Sequence, residues 1–168
     1  MEKKINKFCA VLVPIAQRDI DFYLNFIKQY QMDVQAGQKP HCDFVFASLY
    51  QPGNQQILNA GFRCYDLYSM TQSIPEVTVQ QIRQLEKDFS ITNFHKLILH
   101  EKVTFSIFNN QYLYNKFSAY LRACDQILQK VQLDFPDRQY VLMQELGGFI
   151  GPLSYYYAAQ KNHFKHYF

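Results

Sequence analysis

Apolar and polar positions come in blocks along the chain, and each block has a length and period that predicts an element. Phe8-Cys-Ala-Val-Leu-Val-Pro14 is nearly all apolar, the pattern of a parallel strand covered on both faces. Ile15-Ala-Gln-Arg18 leads to Asp19, a suitable N-cap, after which Ile20, Tyr23, Phe26, Ile27 and Tyr30 keep helical spacing. Residues 31–40 are polar, contain Gly37 and read as an exposed loop. A second strand follows at 43–50, then a turn at Gln51-Pro-Gly-Asn54 and a short helix at 55–60 with Gly61 at its carboxyl end. Residues 62–68 form the third strand. This β-α-β-α-β order predicts an α/β fold: an open, mostly parallel Rossmann-like sheet with helices on both faces.

The middle of the chain reads as helical. Ser73-Ile-Pro-Glu76 supplies a cap, a proline and a first-turn acid, and Val79, Ile82, Leu85 and Phe89 form the apolar face beyond. Residues 94–108 fit either a helix or a strand pair, since their periodicity favours neither. Asn109-Asn110 caps the longest helix, whose stripe runs Leu113, Phe117, Tyr120/Leu121, Cys124, Ile127/Leu128 and Val131. Tyr140-Val-Leu-Met-Gln144 is then a buried strand, stopped at Glu145. Leu146-Gly-Gly-Phe-Ile-Gly-Pro152 turns the chain into a helix at 153–160 with Pro152 in its first turn, and Lys161-Asn162 ends it. Residues 163–168 read as a last strand. A βαβ unit that stops on a strand is expected to be the front part of a larger protein.

Composition narrows the class. At 168 residues and 48% apolar, the chain suits one domain, residues 1–168, with a sizeable core. Thirteen Tyr and 15 Phe with no Trp place many rings at core margins or along a cleft. A formal charge of +3 allows an anionic ligand or a membrane-surface contact, but without a basic stripe nucleic acid is excluded. Cys9, Cys42, Cys64 and Cys124 show no CxxC spacing and read as reduced thiols of a cytoplasmic protein. The N-terminal apolar run is too short for a signal peptide or a spanning helix.

In a doubly wound sheet, ligands gather beyond the carboxyl ends of the strands near the switch in strand order. That rule selects the loops at 15–19, 51–54, 69–72 and 145–151. Glu145 is the carboxylate at such an end with glycines beside it, a candidate catalytic base if burial raises its pKa. It could instead cap the following helix or pair with Arg18. Gly147 and Gly148 let backbone N–H groups approach a ligand, at a helix start that favours an anion, or simply form the turn. Arg18 and Asp19 are substrate-binding candidates by position. Gly53 and Asn54 read as turn residues. The loop is neither the dinucleotide fingerprint nor a P-loop. His95, His100 and Glu101 lack a metal-ligand spacing, and His163 and His166 face opposite sides of a strand, so no metal site is expected. Ser154 lacks the glycines of a nucleophile elbow. Tyr155, Tyr156 and Tyr157 cannot share one helix face.

Two stretches, Asn110-Gln-Tyr-Leu-Tyr-Asn-Lys-Phe-Ser-Ala-Tyr-Leu121 and Gln144-Glu-Leu-Gly-Gly-Phe-Ile-Gly-Pro-Leu-Ser-Tyr155, resemble the N-terminal half of bacterial capsule and surface-polysaccharide glycosyltransferases of GT-B architecture. The likeness is clearest over residues 95–168. It implies transfer of a sugar from a nucleotide-sugar donor to a capsule or surface glycan. It further implies that this domain holds the glycan acceptor while a C-terminal domain, or a separate donor-domain chain, binds the donor. No metal or other cofactor is implied, and the chain alone would be inactive. Glu145, Gly147 and Gly148 carry over as cleft-lining residues. The expected setting is the cytoplasm, with room for peripheral association with the inner membrane. The competing expectation is a non-catalytic flavodoxin-like binding or scaffold module.

Overall fold

The computed structural model describes residues 7–145 and 147–167. Strand β1 (Phe8–Val13) lies at the centre of a five-stranded sheet in which every pairing is parallel. Its alternate side chains enter two separate cores. Cys9, Val11 and Val13 face one, and Ala10 and Leu12 the other. Both faces of a central strand must leave water at once, so the opening block is continuously apolar rather than alternating. Helix α1 (Gln17–Gln35) follows, then β2 (Cys42–Ser48), a 3-10 turn at Gln51–Gly53, α2 (Asn54–Asn59) and β3 (Arg63–Asp66).

Ile20, Tyr23 and Ile27 of α1 and Ile57 of α2 close the core over Ala10, Leu12, Phe44 and Phe46. The return to the other side of β1 passes through α3 (Leu67–Met70), α4 (Val79–Asp88), α5 (Phe94–Thr104) and the 25-residue α6 (Asn110–Asp134). With α7 (Ile150–Lys161), these helices cover the opposite face of the sheet. Strands β4 (Gln139–Gln144) and β5 (Lys165–Tyr167) complete the order β3-β2-β1-β4-β5. The expected Rossmann-like sheet with helices on both faces is the observed one. Among the described residues no helix is long and apolar enough to cross a membrane.

Several local expectations need correction, each for a stereochemical reason. Ala16, not Asp19, is the N-cap of α1; Asp19 sits one turn in and reaches back to the Ile15 and Ala16 amides at 2.8 and 3.0 Å. The start of α4 is set by Thr78 and Gln81, which form a reciprocal capping box, so Ser73-Ile-Pro-Glu76 stays outside the helix. Val79, expected on the apolar face, is exposed, and Val77 is buried instead. The third strand is four residues long because Asp66 caps α3 by accepting from the Tyr68 amide. Of the two forms open to residues 94–108, the structure takes the helix, over Phe94–Thr104 and capped by Asn93. At the end of α7, His163 rather than Asn162 takes the left-handed conformation, with φ 60°. Leu146 and Phe168, placed by sequence in the turn and the last strand, lie outside the described residues.

Candidate functional site

The strand order reverses between β1 and β4, where the chain leaves one in the direction of β2 and the other in the direction of β5. Loops diverge at such a switch point and leave a crevice at the carboxyl ends of the strands. Here the crevice is a cavity of about 570 Å³ lined by Arg18, Asp19, Phe22, Tyr23, Met143, Gln144, Glu145 and Tyr167. Three of the residues nominated from sequence, Arg18, Asp19 and Glu145, therefore share one site.

Arg18, in the first turn of α1, ties that helix to the loop after β4. Its Nη2 donates to both carboxylate oxygens of Glu145, at 2.7 and 2.8 Å, and its Nε donates to Asp19 Oδ1 at 3.3 Å. Glu145, followed by Asp19, raises the pKa of the Arg18 guanidinium above its ordinary value. Asp19 is buried and spends its other oxygen on the amides of residues 15 and 16. It fixes the first turn of α1 and orients Arg18, a positioning role rather than an open contact. Glu145 is about half-exposed and already paired, so of the alternatives drawn from sequence, the pairing with Arg18 is the one observed. The Tyr23 hydroxyl donates to the Met143 carbonyl at 3.3 Å, and burial, followed by Asp19 and Glu145, pushes its pKa up to about 12.

Gly147 and Gly148 do not line this cavity. Gly148 has no positive φ, so turn conformation does not require glycine at that position. Close packing bears on both. A Cβ on Gly147 would stand 3.3 Å from Pro152 Cγ, and one on Gly148 3.2 Å from the His100 ring. The expected anion cradle at the start of α7 is filled from inside the protein. Buried Glu101 accepts from the Ile150 amide at 3.0 Å and pairs with Lys116. A carboxylate of the protein's own therefore occupies the favourable end of the helix.

His95 and His100 are engaged by aromatic neighbours. His95 Nδ1 lies 2.8 Å from the Tyr114 hydroxyl, and the His100 ring packs edge-on against Phe149 at 4.6 Å. Among the described residues there is no group of three side chains suited to a metal ion. Ser154 is buried and donates to the Ile150 carbonyl. All four cysteines are free.

Phe22, Tyr23, Met143, Gln144 and Tyr167 were not picked out from sequence as site residues. Their signal is visible only in part. Tyr23 keeps the buried spacing of α1 and Met143 the strand pattern, but Phe22 breaks the apolar stripe by pointing out. Tyr167 arrives from β5, and only the strand order brings it beside Arg18. Chemically, the site offers an ion pair in which one guanidinium nitrogen meets both carboxylate oxygens, set among aromatic and thioether surfaces. Comparison with models of known families, with curated proteins and with solved structures finds no match.

Proposed function

We propose that the chain is the acceptor-side domain of a glycosyltransferase acting on a capsule or surface polysaccharide. It holds a glycan in the switch-point cavity while a second domain or chain presents the nucleotide-sugar donor. The observation that carries this reading is the Arg18–Glu145 strap in a cavity that is also lined by Phe22, Tyr23, Met143 and Tyr167. Sugars are amphipathic. Their hydroxyls can donate to a carboxylate and accept from a guanidinium, and their C–H faces lie well on aromatic rings.

Charge supports the acceptor side over the donor side. The mouth sets two carboxylates, Asp19 and Glu145, against one guanidinium. A nucleotide diphosphate would be repelled there, whereas a neutral glycan would not. The four free thiols suit the reducing cytoplasm expected of such an enzyme.

The test is ligand-induced thermal stabilisation of the full chain, read with neutral oligosaccharides and with nucleotide sugars. Neutral glycans are expected to raise Tm, and Arg18→Gln or Glu145→Gln to weaken that binding by roughly tenfold, the worth of one charged hydrogen bond. Binding of nucleotide sugars in this cavity, with no response to glycans, would reverse the assignment.

A second reading, a non-catalytic flavodoxin-like binding or scaffold module, is favoured by one specific observation. Glu145 is exposed and ion-paired, the state of a binding contact rather than of a base activated by burial. A transfer-competent assembly separates the two. Loss of a general base in Glu145→Gln costs on the order of a hundredfold or more in turnover, while a binding role changes affinity alone.

A further inference from the structure

Among the described residues, part of one sheet face carries no helix. On that side α1 and α2 pack over β1 and β2 through Ile20, Tyr23, Ile27 and Ile57, and the remaining helices cover the opposite face. The neighbouring strip of β4 and β5 stays open. Val141 and Met143 of β4 are half-buried on it. Lys165 and Tyr167 of β5, their partners in register, point to the same side and are exposed. Parallel sheets ordinarily have both faces covered, so the open strip is where a ligand or partner would lie.

The strip runs into the candidate site. Met143 lines both the switch-point cavity and a second cavity, of about 220 Å³, which continues between α1 and β4 towards Pro40. The α1 wall is a ladder of rings one helical turn apart. Phe22 and Phe26 have centroids 6.5 Å apart, and Phe26 and Tyr30 6.0 Å. Phe26 and Tyr30 stand edge-on to Phe44, at 6.1 and 5.3 Å, which holds both rings in place. Lys39, paired with Asp33, lies over the Tyr30 ring at the far end. The ladder spans about 12 Å of helix, room for about two sugar rings beyond the cavity.

We propose that this trough is an extended glycan subsite: a linear chain anchored at Arg18 and Glu145 continues over Met143 and along Phe26 to Tyr30. The ligand is then a long oligosaccharide or polymer rather than a single sugar. The proposal rests on the glycan reading of the cavity. Two features favour a glycan over an apolar helix or a second copy of the chain. The trough opens directly from the candidate site through Met143, so a chain held there has a continuous path out. Its aromatic faces are accompanied by polar groups, the hydroxyls of Tyr30 and Tyr167 and the Lys165 amine beside Val141. That mixture suits a ligand with C–H faces and hydroxyl edges, whereas an apolar helix laid on the strip would press against the amine.

The chain has no tryptophan, so Phe22→Trp and Tyr30→Trp each install a single reporter, one in the cavity and one at the far end of the trough. Both proteins are titrated with disaccharides, tetrasaccharides and octasaccharides cut from a panel of neutral, linear capsular polysaccharides. The Phe22→Trp fluorescence is expected to respond at every length, and that of Tyr30→Trp only to the longer chains. In thermal-shift titrations of the unaltered chain, octasaccharides are expected to bind roughly tenfold tighter than disaccharides, the contribution of one or two ring contacts. Phe26→Leu keeps the apolar packing and removes the flat face. It is expected to erase the length dependence and leave disaccharide binding unchanged, with circular dichroism confirming the fold. Disaccharide binding that does not tighten with length, or a silent Tyr30→Trp towards chains that the cavity binds, overturns the trough and leaves the cavity reading in place. No response to any glycan of the panel overturns both. Self-association without sugar that Phe22→Ser abolishes also overturns the proposal, because the strip would then be an interface between copies.

Discussion

Replacing Glu101 with Gln tests the physical account most directly, because one buried carboxylate joins three helices. It lies on α5, pairs with Lys116 on α6 and accepts from the first amide of α7. The Glu101 side chain is 5% exposed and that of Lys116 20%. Glutamine keeps an oxygen for the Ile150 amide but removes the charge. Exchanging a charge-assisted bond for a neutral one costs about 1 kcal/mol. Leaving a buried cation without its partner costs about 3–5 kcal/mol when burial is complete. Lys116 can extend its amine towards water and retains its approach to the Tyr120 ring at 5.7 Å, so about 1–2 kcal/mol of that penalty applies. The total, about 2–3 kcal/mol, corresponds to a fall in Tm of about 4–12 °C for a chain of this size. Urea denaturation should show a lower midpoint at unchanged slope. A double-mutant cycle with Lys116→Met should return a coupling of about 1–2 kcal/mol. A loss below about 0.5 kcal/mol, the range of an inert surface substitution, or a coupling of zero would refute the view that this pair holds the start of α7.

Three further outcomes follow from the same structure. Gly53→Ala should destabilise by about 1–3 kcal/mol in thermal melts, since the added Cβ would stand 2.0 Å from Cδ1 of fully buried Ile20. His166 is held below its ordinary pKa of 6.5 by burial. The unfolded chain therefore takes up a proton first as pH falls, and stability that is full above 6.5 declines below it. Unfolding measured from neutrality to roughly pH 5 should show this decline, and His166→Gln should flatten it. Burial raises the thiol pKa values of Cys9 to about 12 and of Cys42 and Cys64 to about 11, and lifts Cys124 well above 9.0. A thiol reagent at pH 8 should react slowly with the native protein and rapidly with all four cysteines in urea. Fast native labelling would contradict the packing.

The elements most legible in the sequence were those whose signal is local. The stripe from Leu113 to Val131 gave α6 because all its contacts lie along one helix face. The continuous run from Phe8 to Val13 announced a strand with two covered faces, and its residues do divide between two cores. Gly61, at φ 83°, marks the end of α2 because a residue without a Cβ adopts that conformation at little cost. Caps were less secure. Ser73 and Thr78 both satisfy the chemistry of an N-cap, and the choice fell to Thr78, where the apolar face of α4 meets the core and Gln81 closes the reciprocal bond.

The site divides along the same line. Sequence nominated Arg18, Asp19 and Glu145 through the rule that ligands collect at strand ends, and that rule needs only the element order. Their pairing required more, since Arg18 and Glu145 are 127 positions apart. Many acids in the chain could answer an arginine, and the placement of β4 directly beside β1 decided which one does. The occupation of the α7 start by Glu101 and the arrival of Tyr167 at the cavity are decisions of the same kind. Local periodicity fixes which face of an element avoids water. Which polar groups then meet depends on strand order and register, and those are settled only when all the faces are buried together.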